Sequence, residues 1–470
     1  MLTAAAFLLL FLALAVLALA RHPAYGLYLY LAVFYIHPPS RWWSANLPDL
    51  RWSLFAAAVA LLAFIIHRKK LPVPETRWYA TTPGTMLLAF VGWLWIQNLW
   101  ALDGPTHLNA SIQYTKYIVV FYLVYRLASN AAESVDILLA HVAGCFYLGL
   151  LAFSQGRGYG GRLDGVGGPG IDDANTLGMF LATGVIIGAM LFLAVRGWRR
   201  VAIVLMMPII LNGLILTGSR GAFLGLLTGG AIVFYLCPPE RRWVFWGAAM
   251  LGVVLAVRLV DQTFIDRMLT IREAVREDGQ IDSSAEGRLV LIEAQFRMAA
   301  RYPYGAGHRG TAVLSPQYLD RQWLTLDDHA PEAPPARSSH NTFMSLLVEQ
   351  GIPGVVIYAW LGLWGVRTVR RLRSMQRAGT PVELTGPAIA ACGGMAVVWV
   401  AGQFADYLLA EVQIWLFAVL AISLAQLSQL RDEAATDASS PAPTDDVLGG
   451  SSPGQFNYFA GGSRVRSSTD

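Results

Sequence analysis

Apolar residues run in long blocks separated by short polar clusters. Such blocks lie at roughly 2–20, 24–37, 52–66, 84–102, 110–127, 134–153, 173–195, 201–217, 220–236, 243–260, 353–369, 386–402 and 407–429. About eighteen to twenty apolar residues cross a bilayer as a helix. The pattern therefore predicts an all-α, polytopic membrane protein with about 12–13 transmembrane helices. The block at 24–37 is short and reads as tilted, broken or interfacial. The first block has no basic residues before it and no convincing cleavage site, so it is not read as a cleavable signal. No region is strand-rich and no internal repeat is visible.

The polar stretches divide the chain further. Residues 1–260 carry transmembrane helices and a Gly-rich loop at 154–172, and 341–430 carry the C-terminal transmembrane helices. Between them, residues 261–340 form a helical loop. Within it, "FIDRMLTIREAVREDG" and "AEGRLVLIEAQFRMAARYP" space their apolar residues as amphipathic helices do, and "DDHAPEAPPARSS" is a Pro-rich connector. From 431 to 470 the chain is rich in Ser, Pro and Asp, which predicts a disordered tail.

Composition sharpens the class. The chain of 470 residues is 55% hydrophobic and 14% charged, with a mean hydropathy of +0.47, too little polar surface for a soluble protein of this length. Cys145, Cys237 and Cys392 lie in or beside apolar blocks with no paired spacing, so neither a disulfide framework nor a metal site is indicated. Nothing points to nucleic acid. The net charge of +4 matters less than its placement. Basic loops at His67–Lys70, Arg196–Arg200, Glu240–Arg242 and Arg367–Arg377 fall on alternate loops, and short basic loops stay in the cytoplasm. The Gly-rich loop, the turn at 217–220 and the segment 261–340 then share the opposite face, and the tail is cytoplasmic. The N-terminus lies outside if 2–20 and 24–37 both span, and inside if together they make one crossing; the lack of early basic residues favours outside.

Candidate chemistry gathers on the non-cytoplasmic face. In "RSSHNTFMSLLVEQGIPG" (337–354), His340 and Asn341 stand where an apolar helix starts, with Ser338 or Ser339 available as its cap. A neutral imidazole takes a proton from a hydroxyl near neutral pH; the plain alternative is a histidine marking a helix boundary. Arg220 begins a span, where a guanidinium is costly without an anionic partner. Its fork of donors matches phosphate oxygens, and a helix N-terminus adds positive potential; snorkelling is the alternative. Arg288, near Glu286 and Glu293, has a weaker local case. In "QGRGYGGRLDGVGGPGIDDANTLG" (155–178), glycines would let backbone N–H groups approach an anion, with charge from Arg157 and Arg162. No Walker or dinucleotide spacing supports this. Asp172, Asp173 and Asn175 are instead placed to cap the next helix. Asp406, between the last two spans, is suited to orient an imidazole. His308 and His329 show no partner, and no metal-binding motif is present.

Three stretches together resemble the bacterial O-antigen ligases. From His340 the chain reads His-Asn, nine residues, Gly351, two residues, Gly354, like that family's signature. "LNGLILTGSRGAFLGLLTGG" is similar to its Ser-Arg-Gly helix start. "GRLVLIEAQFRMAARYPYGAGHRG" is similar to its Gly-Arg helix with a Pro- and Gly-bearing end, although Ile292 stands where Trp is usual. "RHPAYGLYLYLAVFYIHP" resembles the exosortase-associated O-glycosylation ligases of the same superfamily. The resemblance implies an inverting glycosyltransferase of the Gram-negative inner membrane, with its active site facing the periplasm. It implies an O-antigen donor on undecaprenyl pyrophosphate, lipid A–core as acceptor, no cofactor and no metal. His340 would be the base, and Arg220 and Arg288 the pyrophosphate ligands; Asn341, Asp406, Arg157, Arg162 and Asn175 would be supporting residues. An O-antigen polymerase, a protein O-oligosaccharyltransferase and a lipid-linked glycan transporter stay open as alternatives.

Overall fold

A computed structural model of the chain describes residues 2–156, 163, 165–247, 250, 252, 283–325 and 334–439. Residues 1–429 form one compact unit and 430–470 a second.

Polar side chains start many of the helices. After α1 (Leu2–Ala20), α2 (Ala24–Ile36) and α3 (Trp52–His67), the Thr81 hydroxyl caps α4 (Thr82–Gln97) by accepting from Gly84 N. Asp103 and Asn130 cap α5 (Gly104–Leu127) and α6 (Ala131–Gln155). At α6 the Glu133 carboxylate reaches back to Ser129 N at 2.7 Å, a reciprocal arrangement like a capping box. Asp173 starts α7 (Ala174–Ala194); α8 (Trp198–Thr217) and α9 (Arg220–Leu236) meet at a tight turn. The polar segment contributes α10 (Ser283–Arg301) and α11 (Gly310–Tyr318). Then come α12 (Thr342–Arg377), α13 (Val382–Ala401) and α14, which begins at Val412. Among the described residues there is no strand, only an isolated bridge between Thr325 and Ala336.

Seven of these helices are long and apolar enough to cross a membrane: α1, α6, α7, α8, α12, α13 and α14, with α3 and α9 shorter apolar helices. The chain is thus an all-α, multi-pass membrane protein. The apolar window of α7 is 83% buried and that of α1 only 17%, so α7 is central and α1 peripheral. Around α7 pack α8, α9 and α13. The α9–α13 contact depends on small residues. A Cβ on Gly225 would lie 2.8 Å from the Val397 carbonyl oxygen, and one on Gly229 2.8 Å from that of Gly393. Small residues four apart let membrane helices approach backbone to backbone. A larger side chain there must push α9, with Arg220 at its head, off α13. Gly225→Leu is expected to leave less than about a tenth of the folded protein in detergent, since overpacking costs about 1–3 kcal/mol or more; fluorescence-detected size exclusion measures this.

Two expected features differ from the structure. The last apolar block predicted a helix from 407, but residues 402–411 form a loop before α14. Tyr407, Leu408 and Leu409 are apolar, yet polar groups hold their backbone: Leu408 N donates to Asp406, and the Gln413 amide donates to Tyr407 O and Leu408 O at 3.0 Å each. In the second unit, the described residues 430–439 are helical rather than extended tail. The block 243–260 apart from 243–247, 250 and 252, the amphipathic segment 264–279, Arg157, Arg162, His329 and the tail beyond 439 lie outside the described residues.

Candidate active site

The turn before α9 sets Arg220. Gly218 adopts φ +56°, which lets α8 end and α9 begin almost at once. Ser219, buried, accepts from Ala222 N at 3.3 Å as the N-cap and donates its hydroxyl to Asn175 Oδ1 at 3.1 Å. Asp173 takes the capping duty at α7, accepting from Asn175 N at 2.8 Å and Thr176 N at 3.1 Å. The Asn175 side chain is thereby left to hold the residue before Arg220. Arg220 itself is half-buried at a helix N-terminus, where backbone N–H groups favour an anion.

His340 is exposed, but both its neighbours are pinned. Ser339 accepts from the Gln295 amide of α10 at 2.9 Å and donates to Asn341 O at 3.0 Å. Asn341, not Ser338 or Ser339, is the N-cap of α12: its Oδ1 accepts from Phe343 N at 2.9 Å and Met344 N at 3.1 Å. Its amide nitrogen also donates to Gln403 O at 3.2 Å and Gln403 Oε1 at 3.3 Å. Thr342 completes the seam. Its N–H donates to Gly402 O at 2.7 Å, and its hydroxyl donates to Ala405 O at 2.9 Å while accepting from Tyr407 N at 2.8 Å. The 402–411 loop is therefore bound to the start of α12, and its Phe404 packs beneath Gly221, next to Arg220. The loop links the His340 and Arg220 segments.

Arg288 joins through α10. Gln295 on this helix holds Ser339, and Gly287 packs against the Arg337 guanidinium and the Trp323 ring. Arg337 N and Nη1 donate to Ser315 Oγ at 2.8 Å and Trp323 O at 3.0 Å, which fixes the segment running into His340. Arg288 is half-buried.

The spacing from His340 to Gly351 has a structural reason. After one α-turn, α12 widens into a π-turn at Leu346–Gln350, a form common at functional sites. The Pro- and Gly-bearing loop that ends α10 lies against this turn. Ala306 N donates to Val348 O, Gly307 N to Glu349 O and Ile352 N to Pro303 O. Gly351 has φ +67°, and a Cβ there would fall 2.4 Å from Gly305 N. The Arg288 and His340 motifs are thus two halves of one backbone-bonded unit. Trp93 and Gln97 of α4 donate to Gln350 O and Glu349 O from the other side, at 2.8 and 2.6 Å.

An acid–imidazole cluster lies on the same unit. Glu349 is 5% exposed and meets His308 Nδ1 at 3.2 Å, which corrects the reading of His308 as partnerless. His308 N donates to His107 Nδ1 at 2.9 Å, so Nε2 of His107 carries the proton and donates to Leu94 O. Asp406 accepts from the Ser345 hydroxyl at 2.5 Å and from Leu408 N at 3.0 Å. It is open to solvent yet crowded by the surrounding protein. That crowding and the neighbouring Glu349 push its carboxyl up to about 6, against Ser345, Leu408 N–H and His308, which favour the ionised form. Burial alone would lower His308, but the hydrogen bond and charge of Glu349, with Asp406 and Asp103, raise it above an ordinary histidine.

The Gly-rich loop is held by a residue the sequence reading passed over. Arg41 is buried and donates Nε to Ile36 O at 2.5 Å, Nη1 to Val166 O at 2.8 Å and Nη2 to Gly167 O, with its guanidinium over the Tyr147 ring. Gly168, at φ +153°, sits against the His37 ring. The loop thus runs from an Arg41 anchor to the Asp173 cap, from which Asn175 reaches Ser219. Among the described residues no group of three His, Cys, Asp or Glu side chains is placed to hold a metal ion.

Of the expected site residues, His340, Asn341, Asp406, Arg220 and Asn175 belong to segments joined directly by hydrogen bonds or packing, and α10 brings the Arg288 segment to them. Glu349, His308, Ser345 and Arg41 were missed. A carboxylate inside the apolar run 342–369 was the available signal for Glu349. A search of curated proteins finds no match to the chain. Residues 205–359 match the model of the O-antigen ligase family, over about one third of the chain. That segment, which holds Arg220, Arg288 and His340, is similar to the O-antigen ligase family.

Proposed function

We propose that the protein is an inverting glycosyltransferase that moves an O-antigen glycan from undecaprenyl pyrophosphate to a sugar hydroxyl of lipid A–core. The His340 side faces the periplasm, because the basic loops around Arg68, Arg199, Arg241 and Arg371 mark the cytoplasmic end of an inner-membrane bundle. The observation that carries the reading is the exposed His340 held between Ser339 and Asn341, in a shell that continues to Arg220 on one side and to the Arg288 helix on the other.

His340 accepts the proton of the acceptor hydroxyl as its oxygen attacks the anomeric carbon. The bond to the pyrophosphate oxygen breaks on the opposite face, which inverts that carbon, and undecaprenyl pyrophosphate leaves. Arg220 and Arg288 hold the charge that develops on the leaving group. Asn341 fixes the helix start, Asn175 steadies the Arg220 turn and Asp406 keeps a carboxylate beside the first turn of α12. Arg157 and Arg162 would add positive charge at the Gly-rich loop.

Surface glycolipids of a deletion strain test the reading. Loss of the long-chain ladder from lipid A–core, with glycan accumulating on the carrier, is the expected result. A single repeat on the core would point to a polymerase. An intact ladder with an unglycosylated exported protein would point to protein transfer, and carrier-linked glycan trapped on the cytoplasmic side to a transporter. The arginine-based handling of pyrophosphate also predicts metal-independent turnover. Activity in excess EDTA is expected within about twofold of the untreated rate; activity that collapses and returns with added magnesium contradicts it.

A further inference from the structure

The Glu349–His308 pair is not needed to close the chain, because backbone hydrogen bonds already join the 303–307 loop to the π-turn. A buried carboxylate is costly there, and a well-packed apolar residue would usually serve stability as well or better. Its position suggests another use. Ser345, which binds Asp406, and Glu349, which binds His308, lie four residues apart across the π-turn, so two carboxylates and one imidazole are gathered on one turn.

We propose that Glu349 and His308 are a positioning pair that sets the charge of Asp406. This goes beyond the proposed glycan transfer, but its effect on rate rests on that reading. Glu349 opposes a second negative charge nearby, and a protonated His308 favours it. His107 adds no charge, because its Nδ1 accepts the His308 N–H. The other titratable groups near Asp406 are Tyr114 of α5, Tyr358 of α12 and Tyr407 of its own loop; Asp103, before α5, faces His308. These tyrosines are uncharged near neutral pH, whereas Glu349 and His308 bring charge to Asp406. With both in place, two opposing charges act on the Asp406 carboxyl, Glu349 against its ionised form and protonated His308 for it.

The test reads Asp406 directly. The full-length protein in lipid nanodiscs is titrated by infrared difference spectroscopy, with Asp406→Asn assigning the carboxyl band. Glu349→Gln is expected to move the Asp406 midpoint down by about one pH unit, and His308→Gln to move it up by a smaller amount. Glu349→Asp should restore most of the wild-type midpoint. Midpoints that stay put, or move in the same direction in both variants, overturn the proposal even if stability falls. The acid limb of the transfer rate should follow the two midpoints. If the midpoints move and the limb does not, the pair has no role in transfer and the proposal fails in that form. If the wild-type protein transfers no glycan at all, the proposed function fails, while the titration still decides whether the pair controls Asp406.

Discussion

His340→Ala is expected to lower glycan transfer at least about a thousandfold while the protein still accumulates and purifies normally. Loss of a positioned base costs about 10²–10⁴ in rate. The structural reason to expect normal folding is that His340 is exposed, while the bonds that shape the helix start belong to Ser339, Asn341 and Thr342. Surface substitutions of this kind usually change stability by less than about 0.5 kcal/mol. Asn341→Ala provides the contrast. It removes the α12 cap and the bond to Gln403 together, so it should lower thermal stability as well as rate. Ladder formation at the wild-type level by a well-expressed His340→Ala protein would return this histidine to the role of a boundary residue.

The second large effect is at the arginines. Arg220→Ala is expected to lose transfer by about 10²–10³ or more, the range for removing one charge-stabilising group from a transition state. Arg220→Lys should recover little of it, since an ammonium keeps the charge but not the paired donors. Arg288 should show the same order less severely. Both classes of arginine variant should bind undecaprenyl pyrophosphate more weakly, and His340→Ala should bind it about as tightly as wild type. Equilibrium binding of the carrier lipid to the purified variants separates the roles; weak binding by the histidine variant with normal binding by the arginine variants would reverse them.

Much of the fold could be read along the chain because its information is local. An apolar block long enough to span must satisfy its own backbone, and helices do that within a segment; the caps at Asp173, Ser219 and Asn341 stand beside the helices they start. The candidate site could be proposed from sequence where a polar residue met an apolar helix: Arg220 at the head of α9, and His340 before α12. Pairings across the chain were hidden. Nothing near His308 in sequence announces Glu349, and nothing near the Gly-rich loop announces Arg41. The loop at 402–411 was masked by its own apolar residues, since the hydrogen bonds that keep it out of a helix come partly from Thr342, far away in sequence. The π-turn had no signature beyond Gly351, whose left-handed backbone shows its purpose only once Gly305 is seen against it.

In the proposed reaction one polypeptide transfers a glycan from a lipid pyrophosphate to a sugar hydroxyl with His340 as base. The most direct measurement combines purified protein in nanodiscs with undecaprenyl-pyrophosphate-linked O-antigen and lipid A–core, and follows both products by mass spectrometry and the new linkage by NMR. The expected result is glycan on the core, one free undecaprenyl pyrophosphate per transfer, inversion at the anomeric carbon, and none of these with His340→Ala. Retained anomeric configuration, or equal product from the His340→Ala protein, would contradict it.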